Sequence, residues 1–138
     1  VVASRVLDTI EDLVEARIRN ALLLDEGLRG LESYIRPPHR PEGYREVYQL
    51  YLATATRRDE LVRFLVTRGV EAKVHYPIPI HLQNAARDLG YKRGDFPVCE
   101  RQAEEIVTLP AHQYITEEQI DYMVSIIHEF YGVYSPSR

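Results

Sequence analysis

Apolar residues recur along the chain with two different periods, and the changes of period divide it into helices and strands. In residues 1–26 the apolar positions are three and four residues apart, which predicts a long amphipathic helix that ends near Gly27. Residues 116–131 repeat this pattern between a Thr116-x-x-Gln119 capping box and Gly132. The first stripe is Ala3, Leu7, Ile10, Val14, Ile18 and Ala21, and the last is Ile120, Met123, Val124, Ile127 and Phe130.

Three shorter stretches have the alternation or the composition of β-strands. Residues 46–54 place apolar side chains on both faces, which is typical of a strand covered on both sides. Residues 70–76 alternate strictly, and residues 106–109 form a short apolar run that Pro110 closes. In the second of these strands one face would carry Val70, Ala72, Val74 and Tyr76, and the other Glu71, Lys73 and His75.

Two further helices are predicted from their first and last residues. Thr56, with Asp59 three residues on, has the pattern of a capping box, and the helix that follows should stop at Gly69. Pro97 suits the first turn of another helix, which should reach about residue 105. The inward positions of this second helix and its exit would be Cys99, Ala103 and Ile106.

Less regular segments connect these elements. Residues 36–43 are a proline-rich, charged loop, short enough to be a connection within one domain. Residues 81–89 predict a short helix that Gly90 ends, and residues 133–138 are expected to fray.

The order of the elements predicts an α/β (α+β) domain of two layers, in which helices pack on a three-stranded sheet. We expect residues 1–138 to form a single domain. The right-handed crossover rule makes strands 46–54 and 70–76 parallel, and strand 106–109 is expected to insert between them in the antiparallel direction.

A stiff segment, residues 75–81, joins the second strand to the short helix. Pro77 and Pro79 each fix φ and lack an N–H donor, so this His-Tyr-Pro segment is extended and cannot continue a central strand. Strand alternation would point His75 and Tyr76 to opposite faces, but we expect the strand to end at His75, which would let both enter one cleft. The segment is either a binding element or a plain rigid connector.

Charge and composition exclude several classes of function. The chain has 138 residues and a net charge of −4, which gives no electrostatic case for nucleic acid. Its one cysteine, Cys99, excludes an internal disulfide, and no apolar run approaches the roughly 18 residues of a membrane span. These features favour a cytoplasmic protein. The chain starts at Val1 without a methionine, so we expect it to be a piece of a longer protein.

Neither a metal centre nor a common catalytic motif is predicted. The histidines have no compact ligand spacing, Cys99 is expected in the core, and no glycine-rich phosphate loop is present. The histidines are His39, His75, His81, His112 and His128.

The His-Tyr-Pro segment, with Leu82 and Gln83 after it, resembles the C-terminal-domain signature of the DegT/DnrJ/EryC1/StrS family of sugar aminotransferases. The resemblance covers residues 45–131 well and residues 1–44 weakly, through the first helix. Ordered blocks over such a span are far more specific than one short motif. The other blocks are residues 47–51, 58–61, 69–70, 90–97 with Glu100, 109–110 and 116–120.

The resemblance implies a reaction and a missing domain. Enzymes of this family use pyridoxal phosphate to move an amino group, usually from glutamate, onto a nucleotide-linked keto sugar, and they are homodimers. A large N-terminal domain holds the cofactor through a lysine that neither Lys73 nor Lys92 matches. This chain resembles the small domain alone, with a long helix at residues 1–30 and an α/β part at residues 45–131. We expect it to bind no cofactor, to be inactive alone, and to direct the stripe of its first helix towards the missing domain.

The same resemblance implies which residues bind substrate. They are His75, Tyr76 and His81, with no catalytic residue and no metal ligand in this chain. The proline-rich form of the segment is most similar to transaminases for dTDP-linked 3-keto-6-deoxy sugars, although Gln49 stands where the family often has histidine. The alternatives are a stand-alone sugar-nucleotide-binding or regulatory module and a domain that only makes subunit contacts. For His81 the alternative is a helix cap or an interface residue.

Overall fold

A computed structural model describes residues 7–133, so Ala3 of the first stripe and the predicted fraying of residues 134–138 lie outside it. The helices and strands follow the order α1 Ile10–Gly27, β1 Ile35–Arg36, β2 Tyr51–Ala55, α2 Arg58–Thr67, two 3-10 helices at Ile80–Leu82 and Asn84–Leu89, α3 Pro97–Glu105, β3 Ile106–Leu109 and α4 Glu117–Tyr131. The predicted α/β class, a three-stranded sheet with helices packed on it, is confirmed.

The sheet is antiparallel and has the order β1-β2-β3. Tyr51 of β2 lies opposite Leu109 of β3, and Lys73 makes a single antiparallel bridge to Thr108 on the other side of β3. The predicted insertion of residues 106–109 beside residues 46–54 is therefore confirmed. Residues 70–76 contact β3 through this one bridge and form no strand, so the prediction of a strand at 70–76 is wrong.

Two differences in the sheet have identifiable causes. Residue 36, predicted as the start of the proline-rich loop, forms β1 with residue 35 opposite β2, a pairing too short to leave a periodic pattern. Strand β2 begins at Tyr51 and not at residue 46, because Tyr48 adopts a left-handed backbone with φ of 46°. Chains rarely continue a ladder through that conformation.

The core is a cluster of buried side chains from α1, α2, α4 and all three strands, and α1 and α4 are in close contact within it. Ala21 and Leu24 of α1 are completely buried, and Gly27 approaches α4 so closely that an added Cβ would lie 2.6 Å from Val124. The stripe of α1 is therefore divided, since Leu7 remains 67% exposed while the later positions pack within this chain. The expectation that the whole stripe faces a missing domain is corrected for its second half.

The predicted helix ends have different outcomes. The capping box of Thr116 and Gln119 is confirmed by both of its hydrogen bonds, as is the place of Pro97 in the first turn of α3. The Thr56 cap is wrong, because Arg57 precedes α2 in a left-handed conformation and no side chain caps the helix. Cys99 is exposed and not inward, so its predicted place in the core is also wrong.

Within residues 7–133, no helix is both long enough and apolar enough to cross a bilayer.

Candidate functional site

Three backbone segments converge beside β3 and enclose an open cleft of about 240 Å³. One wall is residues 48–51, which lead into β2, and the second is residues 108–112, which continue from β3. Because β2 and β3 are antiparallel, the start of one and the end of the other meet at the same edge of the sheet. The third wall carries Glu71, Lys73 and His75, which the Lys73–Thr108 bridge holds beside β3.

His75 is fixed in this cleft by one of its two ring nitrogens. Its Nδ1 lies 2.9 Å from the Thr108 hydroxyl, and Thr108 itself is buried. The other nitrogen, Nε2, has no hydrogen-bond partner among residues 7–133. A ring oriented through one nitrogen can offer the other to a ligand with little further loss of freedom.

Tyr76 lies next to His75 and is open to solvent. The two rings are edge to face, with centroids 5.6 Å apart, and 74% of Tyr76 is exposed. Of the two side chains expected to enter one cleft, His75 lines it and Tyr76 does not, so the expectation is met for His75 alone. An exposed phenol ring beside a fixed imidazole can stack on a flat ligand group and offer a hydroxyl at its edge.

His81, the third predicted binding residue, is placed differently. It is buried, does not line the cleft, and its Nε2 lies 3.0 Å from Glu100 Oε1. Glu100 also accepts hydrogen bonds from the backbone N–H groups of Gly94 and Phe96, and the His81 and Phe96 rings lie 4.7 Å apart. The Glu100 carboxylate thus joins the His-Tyr-Pro segment to the loop before α3.

The acid dependence of stability should depend in part on Glu100. Burial acts to raise the pKa of Glu100, but the hydrogen bonds from Gly94, His81 and Phe96 outweigh it and hold that pKa below its ordinary value. A depressed native pKa stabilises the fold above the unfolded-state pKa, about 4.3, and this contribution is lost as the pH falls through the native value.

We therefore expect Glu100→Gln to unfold more easily at pH 7 and to lose less further stability than the wild type between about pH 5 and pH 3. Urea unfolding at several pH values measures both effects. The matched control is Glu104→Gln on the same helix, whose exposed pair with Arg93 should contribute little. Parallel pH profiles for the wild type and Glu100→Gln would contradict the assignment.

A histidine and a lysine that line the cleft, His112 and Lys73, were not among the predicted binding residues. His112 is exposed, and its Nδ1 accepts a hydrogen bond from the Tyr114 N–H at 3.3 Å, so in the neutral ring the proton lies on Nε2 and makes that atom a donor. Lys73 pairs with Glu71 at 2.6 Å, and this hydrogen bond lowers the pKa of Glu71. The Lys73–Thr108 pairing brings Lys73 and His75 to the same cleft as His112. The sequence does not show this pairing, because its alternation predicts only that Lys73 and His75 share a face.

The lysines do not have the surroundings of a cofactor-binding amine. A Schiff-base lysine needs a desolvated ammonium whose pKa is lowered. Lys73 is exposed and ion-paired with Glu71, and Lys92 lies in an exposed turn. In the same described part of the chain, no three His, Cys, Asp or Glu side chains are grouped as a metal site would require.

Comparison with known proteins gives a consistent result. A sequence profile of the DegT/DnrJ/EryC1/StrS aminotransferase family matches residues 1–128. The chain is 39% identical over 109 residues to a "pleiotropic regulatory protein" of Geobacillus stearothermophilus. The aligned region covers 79% of this chain and 28% of that protein. It is 30% identical to a dTDP-3-amino-3,4,6-trideoxy-alpha-D-glucose transaminase of Streptomyces venezuelae, with 81% of this chain and 30% of that protein covered.

The fold has the same relatives. The crystal structure of DesV from S. venezuelae, in complex with a ketimine intermediate, superimposes with a TM-score of 0.85 at 27% identity. The match covers 90% of this chain and 33% of that one. The chain therefore spans about 30% of the length of these three proteins.

Proposed function

This chain belongs to the DegT/DnrJ/EryC1/StrS aminotransferase family, and we propose that it is the C-terminal domain of an enzyme that transfers an amino group from glutamate to a nucleotide-linked keto-deoxy sugar. The share of each relative that it matches supports a partial chain, and the transaminase among those relatives supports a dTDP-linked substrate. In this proposal the domain supplies substrate-binding and subunit-interface residues and is not catalytic alone. The whole enzyme is a cytoplasmic homodimer.

The observation that carries the proposal is that His75 lines the cleft and that the exposed Tyr76 ring lies edge to face beside it. A sugar nucleotide presents phosphate and hydroxyl oxygens, which need donors, and flat base or sugar faces, which need an apolar ring. His75 Nε2 is unpartnered among the described residues, and the Tyr76 ring lies beside it on a segment that two prolines stiffen. His112 and Lys73 add donors on the other walls.

A substrate contact by His81 stays a prediction. Its Nε2 already faces Glu100, so a ligand could be reached only through the other ring nitrogen or after that hydrogen bond breaks. We therefore give His75 and Tyr76 the larger share of binding, and we expect His81 to keep the segment in place.

Pyridoxal phosphate, when bound, supplies the chemistry by which the amino group is carried between donor and acceptor. Its site is proposed to lie in the large domain, because the surroundings of Lys73 do not fit a cofactor amine. The residues of this chain would bind and orient the sugar nucleotide and limit the access of water to it.

The polypeptide at its natural length tests the proposal. We expect it to bind pyridoxal phosphate and to aminate a dTDP-linked 3-keto sugar with glutamate as donor, whereas the 138-residue chain with added cofactor should show no turnover. Mass spectrometry after borohydride reduction should locate the modified lysine outside this chain. Turnover by the isolated chain, with a stoichiometric adduct at Lys73, would overturn the proposal.

A second candidate is favoured by the name of one relative. The Geobacillus protein is described as a pleiotropic regulatory protein, which keeps open a non-catalytic sugar-nucleotide-binding or regulatory module. The same experiment separates the two, because a natural-length polypeptide that binds a sugar nucleotide but carries no cofactor would identify the module.

A further inference from the structure

Arg17 of α1 makes hydrogen bonds to two walls of the cleft at once. Its Nε donates to Gln113 Oε1 at 2.9 Å, and its Nη1 donates to Gln49 Oε1 at 3.3 Å and, more weakly, to the Tyr48 carbonyl at 3.5 Å. Gln49 and Tyr48 line the first wall, and Gln113 directly follows the second, which ends at His112. A guanidinium is a rigid fork, so one side chain fixes the separation of two segments that are distant in sequence.

A second residue of α1, Asn20, makes a hydrogen bond to the second wall, residues 108–112. Asn20, one turn after Arg17 and only 1% exposed, donates from Nδ2 to the His112 carbonyl at 2.9 Å. The backbone of His112 is thus hydrogen-bonded to α1, and the neighbouring Gln113 side chain to Arg17. The part of α1 that carries Arg17 and Asn20 therefore supports this part of the cleft.

The first wall needs such a support because its backbone is unfavourable on its own. Tyr48 has φ of 46°, in the left-handed region that non-glycine residues seldom adopt. A conformation of this kind persists only when its surroundings determine it. The burial of the Tyr48 ring and the Arg17 hydrogen bond to its carbonyl are two such constraints.

The partners of Arg17 indicate a geometric role and not a charge-neutralising one. All three acceptors are neutral, and in residues 7–133 no carboxylate lies within 4.0 Å of its guanidinium. The nearby acidic residues of α1, Glu11 and Glu15, both pair with Arg45 at 2.7 Å.

We infer that Arg17 is a positioning residue that holds the Gln49 and His112 walls of the cleft at the separation that ligand binding requires. The link to a ligand rests on the proposed function, but the link to the two walls does not. Separate experiments can therefore test whether Arg17 holds the two walls and whether their separation matters for ligand binding.

Hydrogen exchange of the 138-residue chain tests the structural part. In Arg17→Gln we expect the amides of residues 48–50 and 111–114 to exchange about 3- to 10-fold faster, with α4 unchanged, because the shorter side chain cannot keep all three hydrogen bonds of the guanidinium. Arg17→Lys keeps the charge but not the fork, so it should be intermediate. Arg19→Gln, an exposed neighbour on the same helix, is the matched control and should change neither segment. Unchanged exchange in both walls, or an equal rise throughout the chain, would overturn the inference.

Kinetics of the natural-length polypeptide with a dTDP-linked sugar test the functional part. Arg17→Gln should raise KM about 3- to 10-fold with little change in kcat, and Arg19→Gln should leave both unchanged. If the walls loosen while KM stays the same and His75→Asn still raises KM, Arg17 is merely structural and the inference is overturned. If His75→Asn also leaves KM unchanged, the proposed use of the cleft fails, and the exchange experiment alone decides whether Arg17 holds the walls.

Discussion

Replacing His75 with asparagine is expected to weaken sugar-nucleotide binding by about 0.5–3 kcal/mol, because it removes the free ring nitrogen that we assign to the ligand. Asparagine places an amide nitrogen near the position of Nδ1, so the hydrogen bond to Thr108 can be kept. His75→Ala would lose that bond as well and leave the buried Thr108 hydroxyl unpaired, which lowers stability by about 1–3 kcal/mol. The asparagine variant therefore separates binding from folding.

The neighbouring ring provides a second comparison within the same experiment. Tyr76→Phe should cost less affinity than Tyr76→Ala, because the ring face is kept. Neither should change the melting temperature much, since Tyr76 is exposed. KM and thermal melting are measured for each variant, with His39→Ala and Tyr44→Ala as exposed controls away from the cleft. An unchanged KM with a large fall in melting temperature would mean that the segment is only a connector.

Replacing Gly27 with alanine is expected to lower the free energy of unfolding by about 1–3 kcal/mol, although alanine is the better helix former. The new Cβ would lie 2.6 Å and 2.9 Å from the two methyl groups of Val124, whose branched side chain has few other rotamers. The helices α1 and α4 would have to separate. The His128 Nε2 hydrogen bond to the Gly27 carbonyl, now 2.9 Å, would lengthen with them.

The matched control for this prediction is the same substitution in a Val124→Ala background. There the methyl groups are gone, so Gly27→Ala should be neutral or should stabilise the chain by up to about 1 kcal/mol. Denaturant unfolding of the four proteins completes a double-mutant cycle. A higher stability of Gly27→Ala in the wild-type background would show that the two helices are not in close contact at this point.

Sequence patterns predicted the fold class and the last helix well, because each rests on strong local signals. The apolar stripe of α4 and its two-sided capping box both act within one turn of the chain. The strand predicted at 70–76 failed for a different reason. Its alternation is real, since Val70 and Ala72 are buried while Glu71 and Lys73 are exposed, but alternation reports burial and not hydrogen bonding. Only Lys73 pairs with β3.

The candidate site was predicted only in part, because its geometry depends on pairing across the sheet. The prolines next to His75 and Tyr76 indicated a stiff segment, and the structure places these two rings side by side. No local pattern indicated that Thr108 would orient His75 or that Arg17 would link two walls. The partner of His81, Glu100, lies 19 residues away, beyond the range of helical or strand periodicity.

The proposed binding of a sugar nucleotide by His75 and Tyr76 is tested most directly by a crystal structure of the natural-length polypeptide with a dTDP-linked sugar bound. We expect an oxygen of the sugar nucleotide within about 2.7–3.2 Å of His75 Nε2, and the Tyr76 ring in contact with the sugar or base. Thr108 should still hold His75 Nδ1. A sugar nucleotide bound with full occupancy and no contact to His75, Tyr76 or the cleft walls would contradict the proposed binding role of these residues.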